Sequence, residues 1–181
     1  MRMSIVYASQ TGRTGRMAEA AAEGARGEGA DVALVEADGA EPEALVEADA
    51  VLLGSGVHMA GMEPAMSAFL ARTAPLWLAG RLEGKVGGAF VSAGAGGRGG
   101  GELVLLSLLA ALAEHGLLIV PMHNRLEGFS GGGCHWGPLA WTAPREGRAG
   151  PTEVHLTAAR SHAAHVARTA TRWLASSSSS S

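Results

Sequence analysis

The sequence is poor in several residue types, and each scarcity excludes a class of protein. Its one cysteine, Cys134, cannot form an internal disulfide. Lys85 is the one lysine and the net charge is −3, so no polybasic surface for nucleic acid is expected. The apolar run from Leu103 to Ala113 is interrupted by Ser107 and is too short to span a bilayer. We therefore expect no nucleic-acid partner and no membrane partner.

Length and composition predict one cytoplasmic domain. A chain of 181 residues can bury one good core, and its start lacks the charged segment and long apolar run of an export signal. Glycine is abundant, at 27 residues, while aromatic residues make up 4%, which indicates either close backbone packing or, equally, a bias in genomic composition. We expect a domain over residues 1–175 and a disordered serine tail over residues 176–181, because serine alone buries no apolar surface.

Apolar segments of strand length alternate with helical patterns along the chain. The continuous apolarity of residues 51–53 and 117–120 is typical of strands covered on both faces, and the alternation predicts a doubly wound α/β fold with a five-stranded parallel sheet. The predicted strands are 3–8, 31–36, 50–54, 86–92 and 117–121. The predicted helices are 13–28, 63–72, 102–115 and 153–175, with short helical turns after Pro42.

The turn after the first strand carries the clearest site motif. It reads Ser9-Gln10-Thr11-Gly12-Arg13-Thr14 and leads into an alanine-rich helix. Its three hydroxyls and the free N–H groups of the first helical turn predict a cradle for a phosphate. An NTPase would need Gly-x-x-x-x-Gly-Lys-Ser/Thr here. An ordinary turn with a helix N-cap remains the alternative, because Ser, Thr and Gly favour such turns.

Two more glycine-bearing loops are predicted at the same edge of the sheet. Residues 54–61 follow the third strand and residues 92–101 follow the fourth. Ligands of doubly wound folds bind beyond the carboxyl ends of the strands, so the three loops are expected to form one site. Residues 94–99 spell Gly-x-Gly-x-x-Gly, but a dinucleotide fingerprint normally occupies the first βα turn. A glycine loop beside a flat ring is the better interpretation.

Histidine and cysteine residues suggest no metal site. The candidate sets have neither Cys-x-x-Cys nor His-Glu-x-x-His spacing, so we predict that no metal is bound. Those sets are His123, Cys134 and His135, and His155, His162 and His165. Nothing in the sequence places a base beside Cys134, which argues against a nucleophilic role.

Together these motifs resemble the flavodoxin-like FMN proteins, and within them the tryptophan-repressor-binding type of NAD(P)H:quinone oxidoreductase. The resemblance covers about residues 3–174 and implies a sheet of strand order 2-1-3-4-5. The segments that carry it are Ser9-x-Thr11-Gly12-x-Thr14, residues 48–55, Leu76-Trp77, residues 82–87, Ser92-Ala93-Gly94, residues 99–102, Leu106-Ser107, residues 115–121, Gly137 and Pro151-Thr152-Glu153.

The resemblance implies three groups of FMN-binding residues. These are Ser9, Gln10, Thr11, Gly12, Arg13 and Thr14 at the phosphate, then Ser55, Gly56, Val57, His58, Met59, Ala60 and Gly61, and Ser92, Ala93, Gly94, Ala95, Gly96 and Gly97, both around the ring. The second group departs from the family pattern Thr-Pro-Thr-Arg-Phe-Gly-Asn. His58 stands in place of the arginine and Met59 in place of the aromatic residue, although a methionine thioether can also cover a ring.

The resemblance further implies NAD(P)H as electron donor, a quinone as acceptor and a homo-oligomer, either a dimer or a tetramer. Substrate-side candidates are Trp136, His135 and Trp77, with packing or loop surface as the alternative for each. The 17 acidic residues are nearly balanced by 14 basic ones, whereas a carrier that docks on basic partners needs an acidic patch. We therefore favour the enzyme. A flavodoxin-type single-electron carrier and a non-enzymatic FMN-binding protein remain alternatives.

Overall fold

The fold is built on a mostly parallel sheet with helices on both faces. The structure, a computed structural model, describes residues 1–94, 100–142 and 150–178. Its strands are β1 (Arg2–Ala8), β2 (Asp31–Glu36), β3 (Ala50–His58), β4 (Gly61–Met62), β5 (Val86–Ala93), β6 (Leu118–Ile119), β7 (Gly133–Cys134) and β8 (Gly137–Trp141). Its helices are α1 (Arg13–Gly27), α2 (Pro64–Arg72), α3 (Ala74–Leu78), α4 (Gly100–Glu114), α5 (Phe129–Gly132) and α6 (Glu153–Ser178), with a 3₁₀ helix at Pro42–Leu45.

The doubly wound α/β class is confirmed, and the strand order is corrected at one edge. The sheet runs β2-β1-β3-β5-β8-β7, with β6 also paired to β5 and β4 to β3. The first four positions match the predicted order. The predicted strand 117–121 is wrong in extent, because only Leu118 and Ile119 pair with β5, at its start. Pro121 has no N–H to continue the ladder, and β8 occupies the edge beside the end of β5.

Several element boundaries also differ from the prediction. The third strand was expected to end at Gly54 but continues to His58 and turns back into β4. Helices α3 and α5 were not predicted. Helix α6 extends through Ser178, so the first part of the serine run is helical, where a disordered tail was predicted.

Alternate residues of the central strands enter two apolar cores, one on each face of the sheet. Ile5 and Leu52 pack with the alanine-rich faces of α1 and α6. Val6 and Leu53 pack on the other face with residues of α2 and α4. Burial on both faces explains the continuous apolar runs of these strands. Within the described ranges, no helix is both long enough and apolar enough to cross a membrane.

Candidate functional site

The first predicted loop links β1 to α1 at the carboxyl edge of the sheet. Gly12 precedes the helix in the left-handed conformation, with a φ of 76°, and has no side chain with which to cap it. The Gly15 N–H donates to the Ser9 hydroxyl oxygen at 3.0 Å, and the Arg16 N–H donates to the Gly12 carbonyl at 3.1 Å. The N–H groups of Gly15 and Arg16 are therefore bonded within the protein, so a ligand at this turn would meet the N–H groups nearer the helix start.

The first loop is bound to the end of β5 by a pair of buried hydroxyls. The oxygens of Thr14 and Ser92 lie 2.8 Å apart, and either can donate. The Thr142 hydroxyl donates to the Ala93 carbonyl at 2.9 Å. An Arg13 N–H donates in turn to the Thr142 oxygen at 3.4 Å. The first and third predicted loops and the end of β8 therefore meet.

Glu63 joins the second predicted loop to the first. Its backbone N–H donates to the Ser55 hydroxyl at 2.9 Å, while that hydroxyl donates to the Gly56 carbonyl at 2.8 Å. Its carboxylate Oε2 accepts the Gln10 N–H at 2.9 Å. From the sequence, Glu63 was predicted only as the first residue of a helix. The one cue was Pro64, which fixes the first helical position and leaves Glu63 outside the helix.

The second predicted loop is a β-hairpin rather than an open loop. Val57 pairs with Met62 and His58 with Gly61. The two residues between them, Met59 and Ala60, have φ angles of 47° and 64°, and positive φ at both central positions is the geometry of a type I′ turn. Met59 is 92% exposed at the hairpin tip, so its proposed contact with a ring stays a prediction.

A cleft of about 370 Å³ opens beside the first loop. Its lining residues come from the ends of β1 and β2 and the start of α2: Tyr7, Ala8, Ser9, Gln10, Glu36, Ala37, Asp38, Glu63, Pro64 and Ala65. Burial raises the pKa of the Glu63 carboxyl, and the nearby acids Asp38 and Glu36 raise that pKa further. The hydrogen bond from the Gln10 N–H and the charge of His58 lower it in part. Burial and Glu36 also raise the pKa of Tyr7. Three carboxyl side chains, those of Glu36, Asp38 and Glu63, thus line the cleft.

The start of α1 and the loop before it suit an anion such as a phosphate. The helix begins after a glycine with no capping side chain, and the dipole of a helix start favours negative charge. Among the described residues, no atom lies within 4 Å of a Cβ added at Gly94. The predicted cofactor residues Ala95, Gly96 and Gly97 lie outside the described residues, as does most of the Gly-x-Gly-x-x-Gly segment.

Trp136 and His135 lie at the opposite end of β8 from the joined loops. Trp136, 49% exposed, precedes β8 in the turn after Cys134. In β8 it is Trp141 that pairs with Ala93 at the end of β5, so Trp136 lies roughly 16 Å back along the strand direction, at about 3.3 Å per residue. The His135 Nδ1 lies 3.3 Å from the Met122 carbonyl oxygen, and the His135 ring is tilted by 47° against Phe129 with ring centres 5.0 Å apart. Trp77 is 47% exposed on α3. Their roles stay predictions.

The described residues contain no group of three or more His, Cys, Asp or Glu side chains that could hold a metal ion. The half-buried Cys134 thiol faces the Gly137 carbonyl at 3.7 Å. His123 and His165 meet edge to face with ring centres 5.1 Å apart, and His162 is buried against the Val120 carbonyl. These contacts are all with other groups of the protein, and the absence of a bound metal stays a prediction.

Known proteins resemble the chain over nearly its full length. The model of a flavodoxin domain matches residues 4–81. A protein of Rhizobium rhizogenes named NAD(P)H dehydrogenase (quinone) is 32% identical over 199 residues, covering 96% of this chain and 99% of that protein. A protein of the same name from Sinorhizobium fredii is 32% identical and covers 94% and 98%. The crystal structure of a flavodoxin, WrbA-like protein from Agrobacterium tumefaciens superposes with a TM-score of 0.74 at 28% identity, covering 94% and 98%.

Proposed function

Because the chain belongs to the NAD(P)H dehydrogenase (quinone) family of flavodoxin-like proteins, as its motifs predicted, we propose that it is an FMN-dependent oxidoreductase. It passes two electrons from NAD(P)H to a quinone. The observation that carries the proposal is the joining of three loops at the carboxyl edge of the sheet, through the Thr14–Ser92 and Gln10–Glu63 bonds. Doubly wound folds bind their ligands at this edge.

The residues of the first loop are proposed to hold the phosphate. The proposed donors are the N–H groups at the start of α1 and the hydroxyls of Ser9, Thr11 and Thr14, and the dipole of α1 favours a negative charge there. Arg13, held at the Thr142 hydroxyl, supplies a nearby positive charge. A singly esterified phosphate such as that of FMN suits this donor set, since no lysine of the NTPase type is present.

Residues of the hairpin and the third loop are proposed to orient the ring and shield it from water. They are Ser55, Gly56, Val57, His58, Met59, Ala60, Gly61, Ser92, Ala93 and Gly94, together with the predicted Ala95, Gly96 and Gly97. A bound flavin supplies two-electron redox chemistry, which is the cofactor's own. The protein's contribution is therefore position and exclusion of solvent. A dimer or tetramer is proposed as the working assembly. Because Trp136 and His135 lie at the far end of β8 from these loops, Trp136, His135 and Trp77 are proposed to contact the quinone bound to a neighbouring subunit.

The experiment that tests this function is an anaerobic titration. Purified protein is mixed with FMN, unbound flavin is removed, and NADH or NADPH is added while the visible flavin absorbance is followed. We expect the absorbance to bleach and then to recover when a benzoquinone is added. Protein with no bound FMN would refute the cofactor assignment. Bound FMN that neither nicotinamide reduces would favour a carrier or a non-enzymatic flavin protein instead.

A further inference from the structure

The β3–β4 hairpin leaves room for the Glu63 carboxylate where the first two loops are in contact. A Cβ added at Gly56 would collide with Glu63 Oε1 and would lie 3.0 Å from the carboxyl carbon. Any other residue at position 56 would therefore displace this side chain. The same carboxylate accepts the Gln10 N–H through Oε2. The hydrogen bond to Gln10 therefore depends on the space that the missing side chain of Gly56 leaves for the carboxylate.

The backbone of Glu63 is fixed as well. Its N–H donates to the hydroxyl of Ser55, which is fully buried at the end of the sheet pairing. Helix α2 starts at Pro64 immediately after it. Glu63 thus extends from a rigid point of the hairpin to a backbone group of the first loop, 53 residues earlier in the chain.

The charge of this carboxylate has a direct consequence for a phosphate. Glu63 occupies the Gln10 N–H, which is then not free for a ligand. The other charged groups that act on it are His58, Asp38 and Glu36, and two of these three are also acidic. A dianionic phosphate in the first loop would therefore stand beside a negative charge and be repelled by it.

We propose that Glu63 is a positioning residue of the cofactor site, which holds the first loop against the hairpin and lowers the preference for phosphorylated over unphosphorylated flavin. The inference rests on the proposed function. It assigns two separable effects to one side chain. The hydrogen bond supports the binding of any flavin, because it fixes the loops around the ring. The charge acts only on a ligand that carries a phosphate.

Two substitutions separate these effects. Glu63→Gln keeps an acceptor oxygen for the Gln10 N–H and removes the charge, whereas Glu63→Ala removes both. Dissociation constants for FMN and riboflavin are measured by quenching of flavin fluorescence at about pH 8, where the phosphate is a dianion. Glu47→Gln is the matched control, because it makes the same change in net charge on an exposed side chain paired with Arg2 at the start of β1.

We expect the ratio of the riboflavin constant to the FMN constant to rise about fivefold or more in both Glu63 variants, and this gain to shrink as salt is added. Riboflavin affinity should stay near wild type in Glu63→Gln and fall about fivefold in Glu63→Ala. If the ratio of the riboflavin constant to the FMN constant in the Glu63 variants equals the ratio in Glu47→Gln, the proposed effect of the Glu63 charge is wrong. Unchanged riboflavin affinity in Glu63→Ala would overturn the positioning effect.

A second variant tests the geometry at Gly56. Gly56→Ala should displace the carboxylate and weaken riboflavin binding as Glu63→Ala does, and the double variant should lose no more than either alone. Thermal unfolding of each variant checks that it folds. If the losses of riboflavin affinity in Gly56→Ala and Glu63→Ala add up in the double variant, the two residues do not act through the same contact. Failure of the wild-type protein to bind either flavin would refute the proposed function instead, so the two failures are distinguishable.

Discussion

Thr11 differs from the other two hydroxyl residues of the first loop in how it is held. The Ser9 oxygen already accepts the Gly15 N–H, and Thr14 is buried against Ser92. Thr11 is exposed on the loop. Ser9 and Thr14 therefore also shape the loop, whereas the hydroxyl of Thr11 can turn toward a ligand without breaking those contacts.

Replacing Thr11 with valine should thus weaken FMN binding with little effect on the fold. Loss of a hydrogen bond to a charged group costs about 1.5–3 kcal/mol, which corresponds to at least a tenfold rise in the dissociation constant for FMN. Riboflavin affinity should not change. Thr171→Val is the matched control, since that hydroxyl bonds within α6, to the Ala167 carbonyl. Equal FMN affinity in the two variants would rule out a phosphate contact by Thr11.

The residue-level site could be predicted only where its members are close in sequence. The hydroxyls of the first loop and the glycines around it form a local pattern whose meaning follows from turn and helix geometry. Glu63 and Thr142 reach the same loop from 53 and 129 residues away. Which distant polar group meets a loop depends on how the loops converge in the fold, and no local pattern encodes that.

Helices α1 and α6 pack against each other with almost no space between their backbones. A Cβ added at Gly24 would collide with the Arg160 carbonyl group. Buried alanines of both helices line the same contact, and the Arg160–Glu23 ion pair lies at its surface, where it contributes little. The high glycine content and low aromatic content of the chain thus fit this contact, where small side chains let the two helices approach closely.

Gly24→Ala should therefore destabilise the protein even though alanine favours helices. Overpacking of a tight contact costs about 1–3 kcal/mol, which outweighs the gain of roughly 1 kcal/mol in helix propensity. In the same helix, Gly27→Ala is the matched control, because a Cβ there meets no atom within 4 Å, and it should be neutral or stabilising. The free energy of unfolding from urea titrations measures both. Equal effects at the two positions would contradict close packing at Gly24.

Among whole elements, helices were easier to predict than the edge of the sheet. The predicted helices 13–28, 63–72 and 102–115 are close to the observed α1, α2 and α4, because helical periodicity is local. The strand beside β5 was misplaced because two segments, β6 and β8, share that edge. Pro121 ends the pairing of β6 with the start of β5, and β8 pairs with the end of β5. Which segment pairs with which part of β5 is set by the tertiary structure, so it cannot be predicted from a local pattern.

For the molecule as a whole, His162 connects its stability to pH. It lies on α6, fully buried, and its Nε2–H donates to the Val120 carbonyl at 3.0 Å. The Val120 N–H donates in turn to Gly87 of β5. The imidazole thus joins the last helix to the sheet, and burial lowers its pKa to about 4 from an ordinary 6.5.

A lowered pKa means that the unfolded chain binds this proton more readily than the folded one between those two values. The contribution of His162 is therefore fully present above about pH 6.5 and is lost as the pH falls toward 4. The difference of about 2.5 pKa units corresponds to about 3 kcal/mol of unfolding free energy. Burial also lowers the pKa of His115, His155 and His165, while the raised pKa of Glu63 acts in the opposite direction.

Substitution at one position isolates the contribution of His162 from these others. His162→Gln keeps an N–H donor for the Val120 carbonyl but does not titrate. The variant is expected to be less stable than wild type at pH 7.5, because its side chain packs less well, yet to lose less stability as the pH falls. The difference between the two unfolding free energies, measured in urea from about pH 7.5 to 4, should narrow by up to about 3 kcal/mol. Parallel curves over this range would show that the buried imidazole does not set the acid sensitivity of the fold.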